Sequence, residues 1–147
     1  MTSLEDRFVG SLLGLALGDA VGAPHEGSLG PRLVWKLLGI GRSRLLRTTD
    51  DTEMAVLLAG SLAEHGGVEP DALARTWAHG ASWTRGYGPG ARAVLARIRA
   101  GEDWRTANRS AFPEGSFGNG AAMRAAPIGL WFHRDERALV EAASLAA

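Results

Sequence analysis

The sequence contains no cysteine, a single lysine and no excess of either charge. Without cysteine, the chain cannot form a disulfide framework, a cysteine-ligated zinc site, an iron–sulfur cluster or a thiol nucleophile. Its 16 basic residues are balanced by 16 acidic ones, which argues against a general electrostatic attraction to nucleic acid. The lysine, Lys36, lies in no P-loop, and the nucleophile-elbow, dinucleotide-binding and H-E-x-x-H zinc motifs are also missing.

Apolar runs long enough to span a bilayer are missing as well. The longest candidate, Phe8 to Leu17, is preceded by Glu5 and Asp6 and is ended by Asp19, so it reaches only about half of a membrane span. Acidic residues stand where a signal peptide would have basic ones. We therefore interpret this stretch as a core helix, and we expect a cytoplasmic protein without a membrane partner.

Helical periodicity dominates the chain, and 147 residues are enough to bury one hydrophobic core. Ser3 and Asp6 have the spacing of a capping box at the start of the first helix. No convincing β alternation occurs, so the predicted class is all-α. The predicted helices run from about Leu4 to Leu17, from Asp51 to His65, and onward from Pro70 and from Pro89.

Glycine recurs every four residues along the first helix, at Gly10, Gly14 and Gly18, and continues at Gly22. Each glycine lowers helix propensity, but together they leave a bare groove in which another backbone can lie close. The repeat predicts that this face is tightly buried.

The densest group of acidic residues is Thr48-Thr49-Asp50-Asp51-Thr52-Glu53, where the second helix begins. One interpretation is structural: Asp50 is the N-cap and Glu53 completes a capping box. The other is functional, because adjacent carboxylates flanked by hydroxyl groups hold a hard cation such as Mg²⁺. The two are compatible, since one carboxylate oxygen can cap while the other coordinates.

A second group is the glycine-rich loop Gly115-Ser116-Phe117-Gly118-Asn119-Gly120, which leads into Ala121-Ala122-Met123-Arg124. Glycines allow the backbone N–H groups to converge, and a following helix adds its positive end, a combination that suits a diphosphate. A turn that merely begins a helix uses the same residues. The loop is therefore either a phosphate cradle or a helix start.

A third group lies at the exit of the first helix, where Asp19 and Glu26 fall within Gly18 to Gly27. Asp19 has a structural interpretation as a cap, and Glu26 as a solvated side chain. Beside an acidic metal site, they would instead supply a carboxylate opposite a bound substrate.

These three segments, in this order, resemble the ADP-ribosylglycohydrolase family. The resemblance covers most of the chain and implies a compact orthogonal bundle of helices that binds two Mg²⁺ ions, or Mn²⁺, and cleaves the bond at C1″ of ADP-ribose. It implies that Thr49, Asp50 and Asp51 are metal ligands and that Glu26, Asp50 and Asp51 take part in catalysis. It also implies that Gly115 to Gly120 hold the diphosphate.

The family completes its metal site with a second acidic cluster far downstream, and no such cluster follows Gly120 here. We therefore expect residues 1–147 to be the N-terminal portion of one family domain, with the missing C-terminal half as its partner. The predicted function is magnesium-dependent removal of ADP-ribose from a modified protein side chain or a small conjugate. The alternatives are a non-catalytic ADP-ribose-binding or crystallin-like structural relative and a helical interaction module.

Overall fold

The computed structural model describes residues 3–25, 37 and 47–147. Within these ranges the chain forms helices and no strand, so the predicted all-α class is confirmed. The helices are α1 (Leu4–Gly22, followed by a 3-10 turn at Ala23–His25), α2 (Asp50–His65), α3 (Pro70–Gly80), α4 (Pro89–Arg99), α5 (Trp104–Ala111), α6 (Gly120–Met123), α7 (Ala126–Trp131) and α8 (Glu136–Ala146).

Local sequence signals set most of the helix ends. The Ser3–Asp6 capping box forms as predicted, with backbone-to-side-chain hydrogen bonds of 2.9 and 3.0 Å. Gly66 ends α2 in the left-handed conformation, with φ at 73°. Helix α1 continues to Gly22 rather than stopping at Leu17. Its last turn is held by a side-chain contact to α2 that helical periodicity does not reveal.

Helix α2 occupies the centre of the bundle, where it contacts α1, α3, α6 and α7. Its Leu58 and Leu62 are almost completely buried, as is Leu73 of α3. Burial of this apolar surface is the main stabilising contribution to the fold. The buried core cluster comprises Met54, Leu58, Leu62, Leu73, Trp77, Ala78, Ala81, Tyr87, Leu95, Ile128, Ala142 and Ala146.

The predicted burial of the glycine face of α1 is wrong for the described part of the molecule. A Cβ atom built on Gly10, Gly14, Gly18 or Gly22 meets no described atom within 4 Å. Helix α1 instead packs against α2 and α7 through another side, where Phe8 meets Trp131 edge to face at 6.5 Å. The glycine face points away from the bundle, and none of the described helices lies on that side.

Although α1 is apolar, neither it nor any other helix in the described ranges is long and apolar enough to cross a membrane.

Candidate active site

Asp19, in the last turn of α1, joins that helix to the beginning of α2. Its buried carboxylate accepts hydrogen bonds from the backbone N–H groups of Thr49 and Thr52, at 2.8 and 3.2 Å. It also accepts bonds from their hydroxyl groups, at 2.7 Å from Thr49 and 2.5 Å from Thr52. Hydrogen bonds to an ionised acceptor are among the stronger ones in proteins. The four bonds fix the first turn of α2 against α1.

The N-cap of α2 is Thr49, so the predicted N-cap role of Asp50 is wrong. Thr49 has an extended backbone, and its hydroxyl oxygen accepts a bond of 3.4 Å from the N–H of Asp51. Asp50 is the first helical residue. The cap lies one residue earlier than predicted because Asp19, thirty positions upstream, holds both the backbone and the hydroxyl group of Thr49.

The predicted capping box at Glu53 is also wrong, because this side chain turns away from its own helix. Glu53 accepts hydrogen bonds of 2.8 Å from the backbone N–H of Ser82 and from the hydroxyl of Tyr87. The Nε atom of Arg85 lies 3.8 Å from its other carboxylate oxygen. Burial, followed by the bond to Glu53, raises the pKa of Tyr87, so the phenol stays protonated. Glu53 thus holds the α3–α4 connection against α2.

Asp50 lies half-buried beside this connection. Its backbone N–H donates to the carbonyl oxygen of Arg85 at 2.8 Å. Burial raises the pKa of the Asp50 carboxyl group above its usual range, and the neighbouring charges of Asp19 and Glu53 raise it further. The ionised form of Asp50 is therefore disfavoured in the fold, an environment in which an added cation would be stabilising.

Gly86 lies beside Asp50 with a positive φ, and replacing this glycine should be costly. Its φ of 96° is one that L-residues rarely adopt, and a Cβ atom there would lie 3.6 Å from Oδ1 of Asp50. We expect Gly86→Ala to lower the free energy of unfolding by about 1 kcal/mol or more. Urea denaturation measures this, with Gly88→Ala as the control, since Gly88 has negative φ and an open Cβ position. Equal effects of the two substitutions would contradict the strain at Gly86.

The raised pKa of Asp50 gives a stability prediction with a definite sign. A carboxyl group whose pKa is raised by folding adds stability at low pH, and this is lost as pH rises through the folded-state pKa. In the absence of divalent cations, Asp50→Asn should therefore have a higher thermal midpoint than the wild type at pH 7. The difference should disappear as pH falls below about 4, where the wild-type side chain is neutral in both states. A lower thermal midpoint for Asp50→Asn than for the wild type at pH 7 would contradict the raised pKa of Asp50.

Three neighbouring residues, Thr49, Asp50 and Asp51, offer oxygen ligands for a cation. The Thr49 hydroxyl donates its hydrogen to Asp19 and accepts one bond from the Asp51 N–H, so one lone pair on Oγ1 remains for a metal. Hard oxygen donors of this kind fit Mg²⁺, which keeps several water ligands and needs only one or two carboxylates. In the described ranges, no group of three or more histidine or acidic side chains has the arrangement of a metal cluster. The assignment of Thr49, Asp50 and Asp51 as metal ligands stays a prediction.

The glycine-rich loop Gly115–Gly120 lies on the surface just before α6. Phe117 is fully exposed, and Gly115 has a positive φ of 85°. The N–H of Gly118 donates to the Ser116 hydroxyl oxygen at 3.2 Å, so at least this amide is engaged within the loop. Helix α6 has four residues and therefore contributes little of the positive helix end that the sequence analysis expected. The assignment of the loop to a diphosphate stays a prediction.

Arg124, directly after α6, connects this region to the centre of the fold. Its guanidinium group lies 4.2 Å from the centre of the Trp77 ring, and Nη1 is 3.8 Å from the sulfur of Met54. Nη2 donates to the carbonyl oxygen of Ala146 at 2.9 Å. Burial lowers the pKa of Arg124 to about 10, so the group remains charged at neutral pH. Since Met54 lies in α2 one turn after Asp50, Arg124 holds the end of the loop segment close to the acidic turn.

Sequence reasoning did not predict the roles of Asp19 as a bridge, of Glu53 and Tyr87 as a pair, or of Arg124 as an anchor. Each of these contacts joins residues more than twenty positions apart, which local periodicity does not encode. Glu26, predicted to lie near the substrate, falls outside the described residues.

The whole chain, residues 1–147, matches the family model for ADP-ribosylglycohydrolase. The chain belongs to the ADP-ribosylglycohydrolase family. This confirms the family resemblance that the three ordered motifs indicated, and the all-helical structure is consistent with the family fold. The assignment of individual ligands and catalytic residues stays a prediction.

Three relatives of this ADP-ribosylglycohydrolase family member have similar degrees of identity to it. An uncharacterised protein of Archaeoglobus fulgidus is 35% identical over 144 residues, covering 88% of this chain and 44% of its own. ADP-ribosylhydrolase ARH3 of Xenopus tropicalis is 36% identical over 146 residues, covering 91% and 42%. The ADP-ribosyl-(dinitrogen reductase) glycohydrolase of Rhodospirillum rubrum is 36% identical over 140 residues, covering 87% and 45%.

The matched region therefore spans less than half the length of each of these relatives. No solved structure matches the chain significantly.

Proposed function

We propose that this protein is a magnesium-dependent hydrolase that removes ADP-ribose from a modified protein or a related conjugate. The observation that carries the proposal is the first turn of α2, where Thr49, Asp50 and Asp51 stand together and Asp19 holds the turn in place. Family membership supplies the chemistry, because two of the relatives described above are named as hydrolases of ADP-ribose conjugates. The hydrolase activity and the ADP-ribosylated substrate are proposed for this chain on the basis of those relatives' names.

In this proposal Thr49, Asp50 and Asp51 hold Mg²⁺, or Mn²⁺, through their side-chain oxygens. A cation held there would supply positive charge for orienting ribose hydroxyl groups and activating water. Asp19 is a positioning residue, because it directs the Thr49 hydrogen away from the cation and leaves the oxygen lone pair for coordination. The charges of Asp19 and Glu53 beside Asp50 favour occupancy, since a cation would relieve the repulsion among these carboxylates.

Substrate contacts are assigned to two further regions. The Gly115–Gly120 loop is assigned to the diphosphate, although the N–H groups of Gly115 and Gly118 donate to the Phe112 carbonyl and the Ser116 hydroxyl in this structure, and the exposed ring of Phe117 offers an apolar surface beside it. Glu26 is assigned to the reacting ribose through the family resemblance. No protein nucleophile is required, because an activated water attacks C1″ and the acceptor side chain leaves with a proton.

Release of ADP-ribose from an ADP-ribosylated protein, measured with Mg²⁺, with Mn²⁺ and with EDTA, tests the proposal. We expect release that requires the divalent cation and is lost with EDTA. Calorimetric titration with ADP-ribose in parallel separates hydrolysis from binding. Tight metal-independent binding without release would contradict the proposal and favour the non-catalytic ADP-ribose-binding alternative.

A further inference from the structure

Helix α1 carries an apolar surface that the described part of the fold leaves uncovered. Leu13 is 59% exposed, and three more aliphatic side chains at four-residue spacing are at least half exposed. Residues four apart lie above one another on one side of a helix, so the four side chains form a continuous strip. We call this strip the apolar ridge: Val9, Leu13, Leu17 and Val21.

The glycines of α1 lie next to the apolar ridge, each one residue after a ridge position, at Gly10, Gly14, Gly18 and Gly22. No described atom approaches within 4 Å of a Cβ built at any of them. A ridge with a parallel groove is the surface that a second helix needs for close packing along the four-residue rows. The glycines make the approach possible, and the apolar ridge provides the surface to be buried.

The sequence of α1 indicates that the side carrying the apolar ridge is buried when the protein functions. Between Phe8 and Gly18 the helix contains no charged residue, and Ser11 carries its one polar side chain. Such helices are found in protein interiors or in membranes, and α1 is not long and apolar enough for a membrane. Helices α2 and α7 cover the opposite side only. A protein surface is therefore the expected cover for the apolar ridge.

The relatives indicate what that cover is. Each of the three described above has more than half of its length outside the region that matches this chain. That length of chain is enough to supply the cover, and the apolar ridge is a long apolar strip exposed on the described surface.

From these observations we infer that the apolar ridge of α1 docks a helical polypeptide equivalent to the unmatched part of the relatives. The inference depends on family membership and packing and does not require the chain to hydrolyse anything. A second copy of this chain is the competing occupant, and the experiment separates the two.

The probes are the unmatched portions of the R. rubrum and A. fulgidus relatives, each co-expressed with this chain as a separate polypeptide. We expect a 1:1 complex by light scattering with at least one probe, and slower amide hydrogen exchange across α1 in that complex. Leu13→Asp should weaken the complex at least tenfold. Val140→Asp, at a side chain 58% exposed on α8, should change the affinity by less than twofold.

Two outcomes overturn the inference. One is that neither probe binds, or that a complex forms which Leu13→Asp and a groove-filling Gly14→Leu leave unchanged. The other is that the chain forms homodimers which Leu13→Asp dissociates, and this would identify a second copy as the occupant. Thermal melts of each variant confirm folding, since all three substituted positions are exposed. An Asp51→Asn variant should still form the complex, which separates failure of docking from failure of the proposed activity.

Discussion

Asp19→Ala is expected to lower the free energy of unfolding by about 3 to 5 kcal/mol at pH 7. The substitution removes the acceptor of four hydrogen bonds and leaves the buried backbone N–H groups of Thr49 and Thr52 without it. Buried donors that lose their acceptor are costly because water does not replace it. Urea denaturation monitored by tryptophan fluorescence measures the loss.

Glu64→Ala is the matched control for Asp19→Ala, because Glu64 is an exposed carboxylate on the outer end of α2. Its effect should be within about 0.5 kcal/mol of zero. Asp19→Asn should lie between the two, since an amide retains one acceptor oxygen but turns an N–H₂ group toward the threonine donors. A loss below about 1 kcal/mol for Asp19→Ala would show that the joint between α1 and α2 is not held by this carboxylate.

Asp50→Asn and Asp51→Asn are each expected to reduce the rate of ADP-ribose release by about a thousandfold. This corresponds to several kcal/mol of transition-state stabilisation, the amount that a catalytic metal typically contributes. Because ionised Asp50 is disfavoured in the metal-free fold, its replacement should cause this loss of rate without destabilising the protein. Initial rates of ADP-ribose release at saturating Mg²⁺ provide the comparison.

Glu64→Gln serves as the control for this experiment, since it removes an acidic side chain from the same helix at its far end. It should retain the wild-type rate. Rates within tenfold of wild type for both aspartate variants would remove Asp50 and Asp51 from the proposed mechanism while leaving family membership intact.

The sequence predicts the features of this fold that depend on neighbouring residues. Ser3, Gly66, Pro70 and Pro89 mark helix ends where they occur in the structure, because caps and breakers act within one turn. The order of three motifs was sufficient to identify the family. A helix boundary set from a distance was not predictable: Thr49 caps α2 in place of Asp50 because of Asp19.

The same limitation applies within the candidate site. Glu53 has the spacing of a capping box, yet Ser82 and Tyr87 provide stronger partners from another part of the chain. The four-residue spacing of glycines on α1 predicts a buried face, because it shows that another backbone could pack closely there. Whether a partner lies there depends on tertiary structure.

Paramagnetic broadening by Mn²⁺ in ¹H–¹⁵N NMR spectra tests the central claim most directly, because it requires neither substrate nor turnover. The account predicts that substoichiometric Mn²⁺ broadens the amide signals of residues 49–52 first, that Mg²⁺ reverses the effect, and that Asp51→Asn abolishes it. Signals from these residues that remain sharp, or equal broadening in an Asp50→Asn/Asp51→Asn double variant, would contradict a divalent-cation site at the start of α2.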